Sequence, residues 1–180
     1  GGSAIYILDS DYRLKYSLKG VKSGNEILNF TGAKGIFVSE KGEMYISDTD
    51  NGRVLKTDLN GVLLKEFTVP DSALIPEGFE FRPMKTAVDK REYVYILCDG
   101  SYYGAILYSP EDEFLGFYGS NTTGGGILQA FEIIFNKLFM TNSKLSKTES
   151  KLPFQITDLY MDSRNFVYTC TGRTETDTLQ

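Results

Sequence analysis

The stretch that decides the fold is residues 35–48, GIFVSEKGEMYISD. An apolar run, a short polar turn and a second apolar run with a tyrosine form the pattern of a β-hairpin. The pattern returns in residues 85–99, where Val88 stands in place of Val38, and in a weaker third copy in residues 158–170. Recurrence of one hairpin indicates an internally repeated β protein.

A second type of hairpin follows the first two copies. Residues 53–67 turn through Asn60-Gly61, the strongest short-range hairpin signal, and residues 105–118 have the same shape. Residues 4–18 open the chain with another copy. The alignment assigns equivalent positions to three leucines, Leu14, Leu63 and Leu115.

Two successive hairpins make a four-stranded unit that recurs about every forty to fifty residues, which is the signature of a β-propeller blade. The sequence therefore predicts an all-β fold: residues 1–180 form part of a propeller, about three to four blades of a six-bladed ring. The predicted segment begins with the two outer strands of one blade, continues through two complete blades and ends with the two inner strands of a fourth. Such a segment has open ends, and we expect either further chain or self-association through those ends to close it.

The composition limits the classes of function. A formal charge of −5 with singly scattered basic residues argues against nucleic acid as a partner. No apolar run is long enough to cross a bilayer. Residues 1–3 are interpreted as a cloning remnant. Cys98 and Cys170 lie in apolar runs and are interpreted as buried small side chains, with one disulfide between blades as the alternative.

Residues 35–54 resemble an NHL repeat, most closely through Asp48-Thr49-Asp50-Asn51-Gly52-Arg53. The match is weaker where Cys98-Asp99-Gly100-Ser101 replaces this motif. Residues 80–85 and 114–119 are similar to uncharacterised exported NHL-repeat proteins of low-GC Gram-positive bacteria. The resemblance implies a propeller fold and an extracytoplasmic or cell-surface location, and it implies no particular activity.

The polar residues Asp48, Asn51 and Arg53 allow two interpretations. They form a ligand-binding mouth, or Asp48 and Asn51 hydrogen-bond the turn backbone while Arg53 pairs with Asp48. Recurrence of the motif in NHL proteins of different function favours the second.

Residues 121–153 are predicted to be an insert of helix and loop. Residues 127–140 have helical spacing of apolar side chains, and Phe131, Phe135 and Phe139 help to make an apolar surface too wide to face water. The helix either packs over the propeller or docks on a partner, including a membrane surface or membrane complex.

Two function classes remain. The absence of histidine removes the commonest general base and histidine-ligated zinc, so catalytic residues and a metal site are not predicted. We expect a non-enzymatic binding or scaffolding module, without a cofactor, that contacts a protein or glycan; Tyr102 and Tyr103 are candidate contacts. The alternative is a calcium-dependent hydrolase of the lactonase type, which holds Ca²⁺ through oxygen ligands in the central channel.

Overall fold

The computed structural model describes residues 3–75, 77–100, 103–119 and 155–172. Within these residues the chain is all-β, and one 3-10 turn, Thr49–Asn51, interrupts the strands. The predicted helix at 127–140, with Phe131, Phe135 and Phe139, lies outside the described residues. The strands are β1 (Ile5–Leu8), β2 (Leu14–Leu18), β3 (Gly20–Ser23), β4 (Glu26–Asn29), β5 (Gly35–Val38), β6 (Met44–Asp48), β7 (Arg53–Thr57), β8 (Leu63–Phe67), β9 (Pro83–Val88), β10 (Val94–Cys98), β11 (Ala105–Tyr108), β12 (Phe114–Tyr118), β13 (Ile156–Met161) and β14 (Val167–Thr171).

The strands form two four-stranded sheets and three hairpins. The sheets are β5-β6-β7-β8 and β9-β10-β11-β12, and each is antiparallel with its strands in chain order. The hairpins are β1-β2, β3-β4 and β13-β14. The all-β prediction is confirmed, and the order of strands within each complete sheet is the order within a propeller blade.

Successive sheets pack through their first strands. Strand β9 packs against β5 and β6 of the sheet before it, and β13 packs against β9. Strands β6, β10 and β11 are buried along their whole length. Between the two complete sheets, Tyr45 and Val54 of one pack with Ile96 and Ile106 of the other. Because the sheets stack about their first strands, the first strand of each sheet lies at its inner side and the fourth strand at its outer side.

One turn closes all six hairpins that the sequence predicts. Its first residue is Asp or Ser, whose backbone N–H donates to the carbonyl of the fifth residue and whose side chain accepts from the N–H of the fifth. Its fourth residue has a positive φ, as in hairpin loops with a type I turn and a G1 bulge. The six turns are 9–13, 39–43, 58–62, 89–93, 109–113 and 162–166.

The sequence interpretation missed one hairpin and misplaced one residue. The hairpin β3-β4 has Ser23 opposite Glu26, around Gly24, whose φ is 58°. In β12, Phe114 and not Leu115 occupies the position of Leu14 and Leu63. All three residues directly follow a five-residue turn, and each pairs with the residue that directly precedes the same turn.

The sheets have two distinct ends. All six hairpin turns lie at one end, which we call the turn face. The opposite end, the loop face, carries the β6–β7 and β10–β11 loops and the connections between sheets, because consecutive strands alternate in direction.

Candidate functional site

The Asp48 carboxylate on the loop face is fully buried and bonded by three groups. It accepts from the Thr31 N–H at 2.7 Å, from the Asn51 amide at 2.8 Å and from the Arg53 Nε at 2.9 Å. The Asn51 amide and the Arg53 guanidinium also donate to the carbonyl of Asn29, at 3.1 and 3.0 Å. The motif therefore ties residues 29–31, which lead into β5, to the β6–β7 loop.

Neighbouring hydroxyls join the same loop to the next sheet. Thr49 donates through its hydroxyl to the carbonyl of Pro83 at 2.6 Å, and the hydroxyls of Ser47 and Thr86 lie 3.1 Å apart, buried. These groups and those of Asp48 are engaged by the protein itself, so this network is arranged to hold the sheets together. A ligand-binding role for Asp48, Asn51 and Arg53 stays a prediction.

Of the predicted aromatic contacts, Tyr103 lies on the loop face. Tyr103 is about half exposed and packs on Phe117 with ring centroids 5.7 Å apart, whereas Tyr102 lies outside the described residues. The insert 121–153 also lies outside them, but Gly119 and Gln155, the nearest described residues on either side, are at this face. Partner or membrane docking through Phe131, Phe135 and Phe139 stays a prediction.

A groove of about 240 Å³ opens on the turn face, where the first turns of three successive sheets meet. Its apolar lining comes from β5, β6, β9 and β13, and its polar lining comes mainly from turns 39–43, 89–93 and 162–166. The lining residues are Phe37, Val38, Ser39, Glu40, Lys41, Glu43, Tyr45, Val88, Asp89, Lys90, Glu92, Met161, Asp162, Ser163 and Asn165.

Contacts between turns hold the groove in shape. Lys41 forms an ion pair with Glu92, and the Lys90 ammonium lies 3.6 Å from Glu40. The Asn165 side-chain carbonyl accepts from the backbone N–H of Lys90 at 3.0 Å. Each contact joins one sheet to the next, so the three turns form one continuous rim.

Basic side chains recur around this rim. The inner turns are those that follow the first strand of a sheet, 39–43, 89–93 and 162–166, and the other three are the outer turns. The third residues of the inner turns are Lys41, Arg91 and Arg164, and each of these side chains is mostly exposed. Arg91 lies over the Tyr93 ring and Arg164 over the Phe166 ring, at 5.0 and 5.2 Å. The sequence interpretation missed the groove. Of these three cations only Lys41 lines the groove, so their repeat marks the turns and not the groove between them.

Three carboxylates that could supply calcium ligands, those of Asp89, Asp158 and Asp162, are occupied by local contacts. Asp89 accepts from the N–H groups of Arg91 and Tyr93, and Asp162 does the same in its own turn. The Lys85 ammonium beside Asp158 holds the pKa of that carboxyl below its usual value. In the part of the chain that the structure describes, no three His, Cys, Asp or Glu side chains come together in a way that could hold a metal ion. The calcium-dependent alternative stays a prediction.

The two cysteines differ in environment. Both are free thiols; Cys98 is buried and Cys170 is exposed, so the interpretation of both as buried side chains is wrong for Cys170. Burial raises the pKa of the Cys98 thiol to about 12. Among the described residues there is also no helix long and apolar enough to span a membrane.

Comparison with known proteins adds little to this geometry. No protein-family model matches the sequence, and no curated protein matches it. Among solved structures, a streptogramin B lyase matches with 20% identity over 47% of this chain, with a TM-score of 0.36. The match spans 26% of the length of that structure. A TM-score this low supports no conclusion about fold or activity, so the fold assignment stands on sheet topology and packing.

Proposed function

We propose that this chain belongs to an exported, non-enzymatic propeller module that binds a protein or a glycan through the turn-face groove. The observation that carries the proposal is the groove itself, in which an apolar floor is surrounded by hydrogen-bonding and charged groups from three sheets. Concave apolar surfaces with a few convergent polar groups are the usual form of binding sites.

The size of the groove favours part of a large ligand. Sites that enclose a whole small molecule usually measure roughly 300–1,000 Å³, and this groove measures about 240 Å³. It fits one sugar ring or one or two side chains of a peptide that continues over the surface.

The charge of the groove favours a neutral or basic ligand. Five carboxylates and two lysines line it, from Glu40, Glu43, Asp89, Glu92, Asp162, Lys41 and Lys90. Most of these charges are paired with each other or bonded to turn backbone. An acidic polymer would meet net repulsion here, whereas sugar hydroxyls or peptide amides would find both donors and acceptors.

The test compares two substitutions on the same strand, Val38→Arg and Ile36→Arg. Both side chains are half exposed, at 52% and 53%, but only Val38 lines the groove. Wild type and both variants are applied to an array of neutral oligosaccharides and short peptides, and thermal unfolding verifies that each variant folds.

We expect Val38→Arg to lose at least tenfold in affinity for any ligand that wild type binds, and Ile36→Arg to keep it. Equal binding by both variants would place the contact surface elsewhere, with the loop face next to be tested through Tyr103. A wild type that binds nothing on the array would contradict the proposal.

A further inference from the structure

The groove on the turn face is lined by more negative than positive groups. Five carboxylates and two ammonium groups line it, an excess of three carboxylates. Three of the five carboxylates are paired with cations that do not line the groove: Glu43 with Lys56, Asp89 with Arg91 and Asp162 with Arg164. Each of these three pairs therefore presents its negative end to the groove.

The glutamates of the groove are the carboxylates that a ligand can reach. Asp89 and Asp162 each accept from two backbone N–H groups of their own turn, and those bonds hold them in the turn. The side chains of Glu40, Glu43 and Glu92 are 71%, 25% and 38% exposed. The ammonium partner of Glu40 lies 3.6 Å away, beyond ordinary hydrogen-bond distance. A cation in the groove would therefore find flexible carboxylates on two neighbouring turns.

The cation that fits this groove is an organic one with an apolar stem. Within the described residues no three acidic side chains come together in a way that could hold a metal ion. The floor between the charged turns is apolar and consists of Phe37, Val38, Val88 and Met161. Lysine and arginine bury their methylene stems along such surfaces and keep the charged head at the polar margin.

The aromatic rings at the groove favour a peptide over a sugar. Tyr45 is 2% exposed, and Phe37 is partly buried against both core clusters that involve the second sheet. Two rings beside the groove each have an arginine over one face, Tyr93 with Arg91 and Phe166 with Arg164. The groove therefore offers little free ring surface on which a sugar could stack, whereas the stem of a basic side chain needs only the apolar floor.

We propose that the groove receives a lysine or arginine side chain from a peptide segment of a partner protein. This assignment rests on the proposed function and narrows its ligand from a protein or glycan to a basic peptide. The stem lies on the apolar floor, and the cationic head reaches Glu40, Glu43 and Glu92. Lys41 and Lys90, which pair with Glu92 and Glu40, compete with the ligand for two of these carboxylates.

The probes are two pools of acetylated and amidated pentapeptides, with lysine or norleucine at the centre and varied uncharged residues on either side. Norleucine has the same aliphatic stem as lysine and lacks the ammonium group. Affinities for the 180-residue chain are measured by fluorescence anisotropy. We expect the lysine pool to bind roughly fivefold more tightly, the scale of one exposed ion pair. High salt should shrink this ratio, because exposed charges are screened.

Two equivalent turns supply a variant and its control. Glu43 and Glu113 are each the fifth residue of a turn that begins with serine, and the N–H of each donates to that serine's hydroxyl at 3.2 Å. Only Glu43 lines the groove. Glu43→Gln should lower the ratio of lysine to norleucine affinity about two- to fivefold, and Glu113→Gln should leave it unchanged. A folding defect weakens the binding of both pools alike, so the ratio reports the charge and not the fold.

Removal of a competing lysine should act in the opposite direction. Lys90→Gln releases Glu40 and should raise the lysine-to-norleucine ratio about two- to fivefold. A ratio that neither Glu43→Gln nor Lys90→Gln changes overturns the inference. Binding of neutral oligosaccharides, or of both peptide pools equally, overturns it as well and leaves the proposed function standing. A wild type that binds none of these probes overturns both.

Discussion

Removal of the Asp48 carboxylate should cost far more stability than removal of its neighbour Asp50. Asp48 is fully buried and binds the Arg53 guanidinium, whereas Asp50 is exposed and pairs with Arg82 at 3.0 Å. Asp48→Ala leaves a mostly buried Arg53 without its carboxylate, and a buried charge that loses its partner typically costs about 3–5 kcal/mol. Asp50→Ala breaks a surface ion pair worth about 1 kcal/mol or less.

The assay is urea-induced unfolding followed by circular dichroism, with the free energy of unfolding compared among wild type and both variants. A double variant, Asp48→Ala with Arg53→Met, separates lost pairing from lost packing. Because it removes the buried charge as well as its partner, we expect it to regain about 0.5–3 kcal/mol of the single-variant loss, the usual size of coupling between contacting residues.

The reasoning fails if Asp48→Ala and Asp50→Ala lose the same free energy. It also fails if Asp48→Ala folds normally but abolishes ligand binding, since that outcome would make the motif a binding mouth. Asp48→Ala should instead expose the 29–31 segment to proteolysis, because the Thr31 N–H loses its acceptor.

Four further outcomes are expected. Tyr12→Gly should raise the free energy of unfolding by about 0.5–1 kcal/mol, because Tyr12 is exposed at a φ of 61° that strains a residue with a Cβ; no gain in urea unfolding would count against this turn geometry. Cys98 should stay unlabelled by a thiol reagent at pH 8 until the chain unfolds, since burial raises its pKa to about 12; labelling in the native state would contradict that burial. Burial also raises the pKa of the Tyr108 hydroxyl from 10.0 to about 12, so the stability that its protonated form contributes is present below pH 10 and is lost as the pH rises towards 12. Between pH 10 and 12 the free energy of unfolding, measured by circular dichroism, should therefore fall less for Tyr108→Phe than for wild type. The melting temperature should be equal in Ca²⁺ and in EDTA, and a rise in Ca²⁺ would favour the calcium-dependent hydrolase instead.

Much of the fold could be predicted because each hairpin carries its own local signal. Alternating apolar residues and a turn with Asn60-Gly61 specify β7 and β8 without reference to the rest of the chain. The β3-β4 hairpin was missed although Gly24-Asn25 is also a hairpin dipeptide, because it has no counterpart in the other repeats.

The groove could not be predicted in the same way, since it depends on distances between separate sheets. The contact of Asn165 with the Lys90 backbone joins two turns that are far apart in the sequence, and no local pattern encodes it. The exposure of Cys170 had the same cause: its strand begins with Val-Tyr as the buried β10 does, but no described sheet covers it. Local sequence specifies strands, whereas burial depends on what packs beside them.

The repeated turn combines positions fixed by the backbone with positions that make side-chain contacts. Hydrogen bonding requires Asp or Ser at the first position, and a positive φ restricts the fourth. The third position is under neither constraint, yet its composition differs between the rims: Lys41, Arg91 and Arg164 occupy it in the inner turns, and Asp11, Asn60 and Glu111 occupy it in the outer turns. In two of the inner turns the guanidinium bonds the first residue of its own turn, Arg91 the Asp89 carboxylate and Arg164 that of Asp162. Lys41 lines the groove and pairs with Glu92 of the next turn. The cations of the inner turns therefore hold those turns in shape, and the charge of the groove itself is set by the five carboxylates and two lysines that line it.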